Sequence, residues 1–73
     1  MNVQQLRTEI FALMLKQEKT DNLDEFVRLQ FEIEAKIDPL VSLTGLNKET
    51  IETMLGAQYT TWLSEGGPAQ LGI

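Results

Sequence analysis

The stretch Thr20-Asp21-Asn22-Leu23-Asp24-Glu25-Phe26-Val27-Arg28-Leu29-Gln30-Phe31-Glu32-Ile33-Glu34-Ala35-Lys36-Ile37 decides how the chain folds. Its first three residues are polar turn formers set between two apolar periodicities. Asn22 followed by Glu25 has capping-box spacing, with the Asn side chain taking the orphan amide at the third helical position. Beyond it, Leu23, Phe26, Val27, Ile33 and Ile37 recur on one side at helical spacing, with Leu29 and Phe31 toward the two flanks. The polar side carries Glu25, Arg28, Glu32 and Lys36. Their separations predict Glu25–Arg28, Arg28–Glu32 and Glu32–Lys36 pairs, each worth about 0.2–0.5 kcal/mol on an exposed helix. The spacing predicts a helix over 23–37.

Upstream, Val3, Leu6, Ile10, Leu13 and Met14 form a helical stripe that Phe11 and Leu15 widen, which predicts a helix over 2–19. Two helices joined by a short polar turn make an antiparallel hairpin. Downstream, Asp38-Pro39 reads as a boundary. Proline disfavours helical backbone at the residue before it and suits the first position of a new helix. A short helix over 39–44 follows, ended by Gly45 in the left-handed conformation. Asn47 caps a last helix over 48–64, with Ile51, Leu55, Tyr59 and Trp62 on one side and Met54 and Leu63 on its flanks. Gly56 lies inside it at a cost of about 1 kcal/mol relative to alanine, and marks either a close helix crossing or a hinge. Glu65-Gly66-Gly67-Pro68 ends the helix, which leaves 66–73 as a flexible tail after a single domain over 1–65. The expected fold is all-α: an N-terminal antiparallel hairpin, a short helix and a C-terminal helix, assembled as a helical dimer.

The dimer is expected from size. At 73 residues a chain buries only about 60% of its unfolded surface, and domains this small usually add disulfides, a metal or oligomerisation. Cysteine and histidine are both absent, which removes disulfides and nitrogen or sulfur metal ligands. Oligomerisation is left open. Wide stripes on short helices point to a second buried face, and the expected dimer or partner surface is Phe11, Leu15, Leu29, Phe31, Tyr59, Trp62 and Leu63.

Six basic against eleven acidic residues give a net charge of −5. That field opposes phosphate backbones and anionic membranes and favours basic protein surfaces. No apolar run approaches the roughly 20 residues that span a bilayer, and the run from Ile10 to Leu15 lacks the length and cleavage site of a signal peptide. The chain is expected to be cytoplasmic.

Catalysis is not expected. Without histidine or cysteine, the Ser and Thr hydroxyls have no imidazole base and no thiolate is available. Glu34 and Asp38, four residues apart, are oxygen ligands of the kind Mg²⁺ accepts, but a solvated acidic face is the commoner meaning of such a pair. Asp21, Asn22 and Asp24 lack the glycine and closing glutamate of a calcium loop. No glycine-rich phosphate cradle occurs. Neither cofactor nor metal is expected.

Two stretches resemble known families. Leu40-Val41-Ser42-Leu43-Thr44-Gly45-Leu46-Asn47-Lys48-Glu49-Thr50-Ile51, within residues 37–56, resembles the helix-turn-helix of bacterial regulators. Val41 falls where a small residue packs the two helices, Gly45 at the turn, and Ile51 and Met54 on the inner face of the second helix. The resemblance implies a second helix in the major groove, with Asn47, Lys48 and Thr53 able to contact DNA. Glu49 and Glu52 share that surface, so its charge disfavours phosphate contact. Leu29-Gln30-Phe31-Glu32-Ile33-Glu34 is similar to the Ser-Gln-Glu-Leu-Asp core of helical-hairpin phosphatases that act on aspartyl-phosphate in sporulation regulators. Glu32 matches that core, Ile33 and Glu34 are conservative changes, and Gln30 and Phe31 replace its first two residues. This likeness implies a phosphatase of response regulators. The composition as a whole favours a small acidic non-catalytic regulator that binds and modulates a larger protein, of the inhibitor or adaptor kind that bacteria and phages encode. The expected partner surface is basic or apolar.

Overall fold

The computed structural model describes residues 2–70. The chain forms α1 (Val3–Lys19), α2 (Leu23–Thr44), α3 (Lys48–Ser64) and a single helical turn, α4 (Gly67–Gln70). No strand occurs among the described residues. Asparagine starts each long helix: Asn2, Asn22 and Asn47 accept the amides of Gln5, Glu25 and Thr50 at 2.7, 3.0 and 2.8 Å. Each bond satisfies one of the four amides a helix start leaves without a partner.

α1 and α2 pack as the expected antiparallel hairpin. Gln17 donates to the Phe26 carbonyl and to Gln30 near the turn, and Lys36 reaches Glu9 at 3.1 Å near the open end. The boundary expected at Asp38 is not there. α2 runs through Pro39 to Thr44, so the short helix over 39–44 is the last two turns of α2. A proline inside a helix costs about 3 kcal/mol because it donates no amide and crowds the preceding turn. Here Ile37 and Leu40 on either side are both buried in the core. Continuing the helix through Pro39 keeps both on one face, and their burial offsets that cost. The corner comes instead at Gly45, whose φ of 74° is the left-handed value that glycine takes without strain.

α3 then crosses back over the hairpin. The core draws Leu6, Ile10 and Phe11 from α1, Ile33, Ile37 and Leu40 from α2, and Ile51, Leu55 and Tyr59 from α3. Leu13, Met14, Val41, Trp62 and Leu63 pack around it. α1 serves both neighbours, so its apolar arc is wide: Leu6 and Ile10 lie on one side, Phe11 and Leu15 about 140° further round. Gly56 sits mid-helix in α3, with open space where a Cβ would stand, and α3 continues through it. It marks neither a close crossing nor a break in the helix. The C-terminal stop at Glu65 is followed by α4, where Gly67 is buried against Trp62. Residues 71–73 of the expected tail lie outside the described residues.

Of the predicted ion pairs along α2, none forms among the described residues. Lys36 pairs with Glu9, and Lys48 pairs with Glu34 at 3.7 Å. Both are partly exposed links between helices, worth up to about 1 kcal/mol each.

Candidate functional site

The outer face of α2 carries the largest apolar exposure. Leu23, Val27 and Phe31 are four residues apart and so form one ridge along the helix. Leu23 is 76% exposed and Phe31 66%. Phe26 is exposed beside them. The ridge exists because α2 is apolar over more of its circumference than α1 and α3 cover. Once the helix continues past Pro39, its inner face is set by Leu29, Ile33, Ile37 and Leu40. Leu23 and Val27, which the shorter helix would have turned inward, fall outside, and Phe26 is exposed near the helix start although it is in line with Ile33 and Ile37.

A second apolar area lies at the corner between α2 and α3. Val3, Leu40, Leu46, Ile51 and Met54 line an open cavity of about 200 Å³, with Arg7 at its edge. Leu43 is exposed on the last turn of α2, near Gly45 in sequence.

The residues expected at a dimer or partner surface are distributed differently. Phe11, Leu15, Leu29 and Tyr59 are buried within the chain itself, Trp62 and Leu63 are half-buried against the core, and Phe31 alone of the seven is exposed. The return of α3 across α1 accounts for Phe11 and Tyr59, and the inner face of the extended α2 accounts for Leu29. Leu23 and Val27 are the surface residues that sequence reasoning placed inside. Leu40 beyond the proline was the signal that would have reassigned them.

Phe11, Tyr59 and Trp62 form an aromatic cluster between α1 and α3, with ring centroids 5.3–6.0 Å apart. The Tyr59 hydroxyl donates to Glu18 Oε2 at 2.8 Å. Burial first, then the hydrogen bond to Glu18 and its negative charge, push the Tyr59 phenol up to about 12. At neutral pH it is therefore a protonated donor that ties α3 to the end of α1.

The chain matches no protein-family model, no curated protein and no solved structure.

The corner that resembles a helix-turn-helix keeps its turn, with Gly45 left-handed and Ile51 buried. Its three candidate DNA contacts are already engaged. The Asn47 side chain caps α3, the Lys48 ammonium faces Glu34, and the Thr53 hydroxyl donates to the Glu49 carbonyl at 3.0 Å. Glu49 and Glu52 are exposed on the same helix. Glu32, the residue shared with the helical-hairpin phosphatases, lies on the surface beside Leu6, Ala35, Lys36 and Pro39. Among the described residues no three His, Cys, Asp or Glu side chains converge as a metal site requires, and Glu34 is turned to Lys48. No helix of the described residues is long and apolar enough to cross a membrane.

Proposed function

We propose that this chain is a small acidic interaction protein without catalytic activity, which self-associates and modulates a larger protein by docking against it. The observation that carries this reading is the exposed ridge of Leu23, Val27 and Phe31 on a helix whose opposite face already fills the core. Scattered single apolar residues on a surface are ordinary, but a contiguous ridge with polar flanks is the form a contact surface takes. The net charge of −5 favours a partner with basic residues around an apolar centre. The lack of histidine and cysteine removes the commonest general base and the thiolate nucleophile, which favours binding over catalysis.

Affinity purification from the native source, with wild-type chain and a Phe31→Ser variant side by side, tests the proposal. A protein recovered by the wild type and lost with Phe31→Ser supports it. Recovery of the same protein by both variants, or of none by either, overturns it.

The resemblance at the Gly45 corner keeps DNA binding as a second reading. It predicts an electrophoretic shift at low salt, where non-specific binding is strongest, and absence of any shift at about 50 mM salt removes it.

A further inference from the structure

We infer that the α2 ridge is the seam of an antiparallel two-fold dimer, in which a second copy of this chain lays its own Leu23–Val27–Phe31 ridge against the first. This rests on the reading of the chain as a self-associating interaction protein, and assigns the ridge itself to self-association. A larger partner then meets the assembled dimer, and Phe31→Ser costs its recovery by separating the two copies. A two-fold axis at Val27 sets that residue against its own copy. It also sets Leu23 of each chain against Phe31 of the partner subunit, because each lies four residues from the axis. The ridge is thus complementary to itself, as a surface that closes on its own copy must be.

The charges beside the ridge agree. At 100° per residue, Asp24 and Arg28 lie on one flank of the line from Leu23 to Phe31, with Gln30 and Phe26 on the other. In an antiparallel pair the same flank of each helix comes together. Arg28 then falls beside the partner subunit's Asp24 and Asp24 beside the partner subunit's Arg28, which makes two symmetric ion pairs. A parallel pair would set Asp24 and Arg28 against Phe26 and Gln30 instead. Asp24 and Arg28 are exposed, and among the described residues neither forms an ion pair within its own chain. The seam therefore takes up Leu23 and Phe31, the two most exposed large apolar side chains among the described residues, and engages a cation that the monomer leaves in solvent.

The absence of cysteine allows the seam to be read by single thiols. Val27→Cys places the chain's only thiol at the axis, and mild oxidation with diamide is expected to yield a covalent dimer. Leu23→Cys places the two thiols about 12 Å apart along the seam, beyond the roughly 7 Å that a disulfide bridges between Cα atoms. It is expected to stay uncrosslinked. In sedimentation equilibrium, Asp24→Arg is expected to weaken the dimer about tenfold by setting two guanidinium groups together, and adding Arg28→Asp to restore it. Circular dichroism of each variant checks that the helices are kept. A wild-type chain that stays monomeric at tens of micromolar overturns both the self-association and the seam. A dimer in which Leu23→Cys crosslinks as readily as Val27→Cys, or in which the charge swap restores nothing, overturns the seam and leaves self-association standing. A monomer that co-sediments with phosphatidylcholine vesicles through Phe31 makes a lipid surface the occupant, and also overturns it.

Discussion

Leu29 and Phe31 stand two residues apart on α2 and end on opposite sides of the protein's boundary, the first buried and the second 66% exposed. Neither propensity nor hydrophobicity separates them, since a phenylalanine gains at least as much from burial as a leucine. They differ by about 200° around the helix. α1 and α3 cover the side that carries Leu29, Ile33, Ile37 and Leu40, and nothing among the described residues covers the other. A helix apolar on both sides is stable in a small monomer only on the side its neighbours reach. The opposite side stays exposed, and it is the side to which the proposed reading assigns contact with another molecule.

The sharpest break of that contrast is one truncation on each side. Ile37→Ala, at a core position 2% exposed, is expected to cost about 2–5 kcal/mol in urea unfolding, through lost burial and the cavity left behind. Phe31→Ala is expected to change the stability of the dilute chain by no more than about 0.5 kcal/mol. A concentration series separates them further: the loss at Ile37 persists at every concentration, whereas a loss at Phe31 emerges only where chains associate.

The covered side can also be disturbed by titration. The fold raises the Tyr59 phenol from 10.0 to about 12, so it favours the protonated form. The associated stability is whole below pH 10 and is lost as the pH rises from there toward about 12. Tyr59 is the only tyrosine, so its absorbance titration reads the midpoint directly. Glu18→Gln is expected to bring that midpoint part of the way back toward 10, since burial, the larger cause, remains.

Two glycines extend the comparison to smaller effects. A Cβ on Gly67 would overlap the Trp62 ring, so Gly67→Ala must displace the ring or α4 from its seat. The expected cost is about 1–3 kcal/mol at this turn, with a red shift in the fluorescence of the single tryptophan. A Cβ on Gly56 would meet nothing within 4 Å. Gly56→Ala is therefore expected to stabilise α3 by up to about 1 kcal/mol, seen as a higher thermal midpoint. Loss of stability there would show that the outer surface of α3 is constrained after all.

Local signals in the sequence were strong where the structure depends on local chemistry. Asn22 and Asn47 cap the helices they were expected to cap, and α3 spans the residues its periodicity predicted, Lys48–Ser64. The hairpin was legible because the turn at Thr20–Asn22 interrupts two long apolar patterns. Pro39 misled because its cost is local while the burial that overrides it, at Ile37 and Leu40, is tertiary. The candidate surface was less legible for the same reason. Phe11 and Tyr59 look like margins of their own stripes until α3 is folded across α1, and Leu23 and Val27 look like core until the helix is known to reach Leu40. Within the seven expected interface residues, Phe31 was placed on the surface by its position at the edge of a pattern, which does not depend on where α2 ends.

The position of α1 as a wall shared by both other helices also governs how the chain can be made. Its apolar arc is divided between α2, which leaves the ribosome next, and α3, which leaves after it. A nascent chain that has emerged only as far as the Gly45 corner would expose Phe11 with no Tyr59 or Trp62 to meet it. Small domains of this kind fold as units, so the native core is completed only once α3 has been synthesised. Truncation before α3 would release a hairpin with its core face exposed.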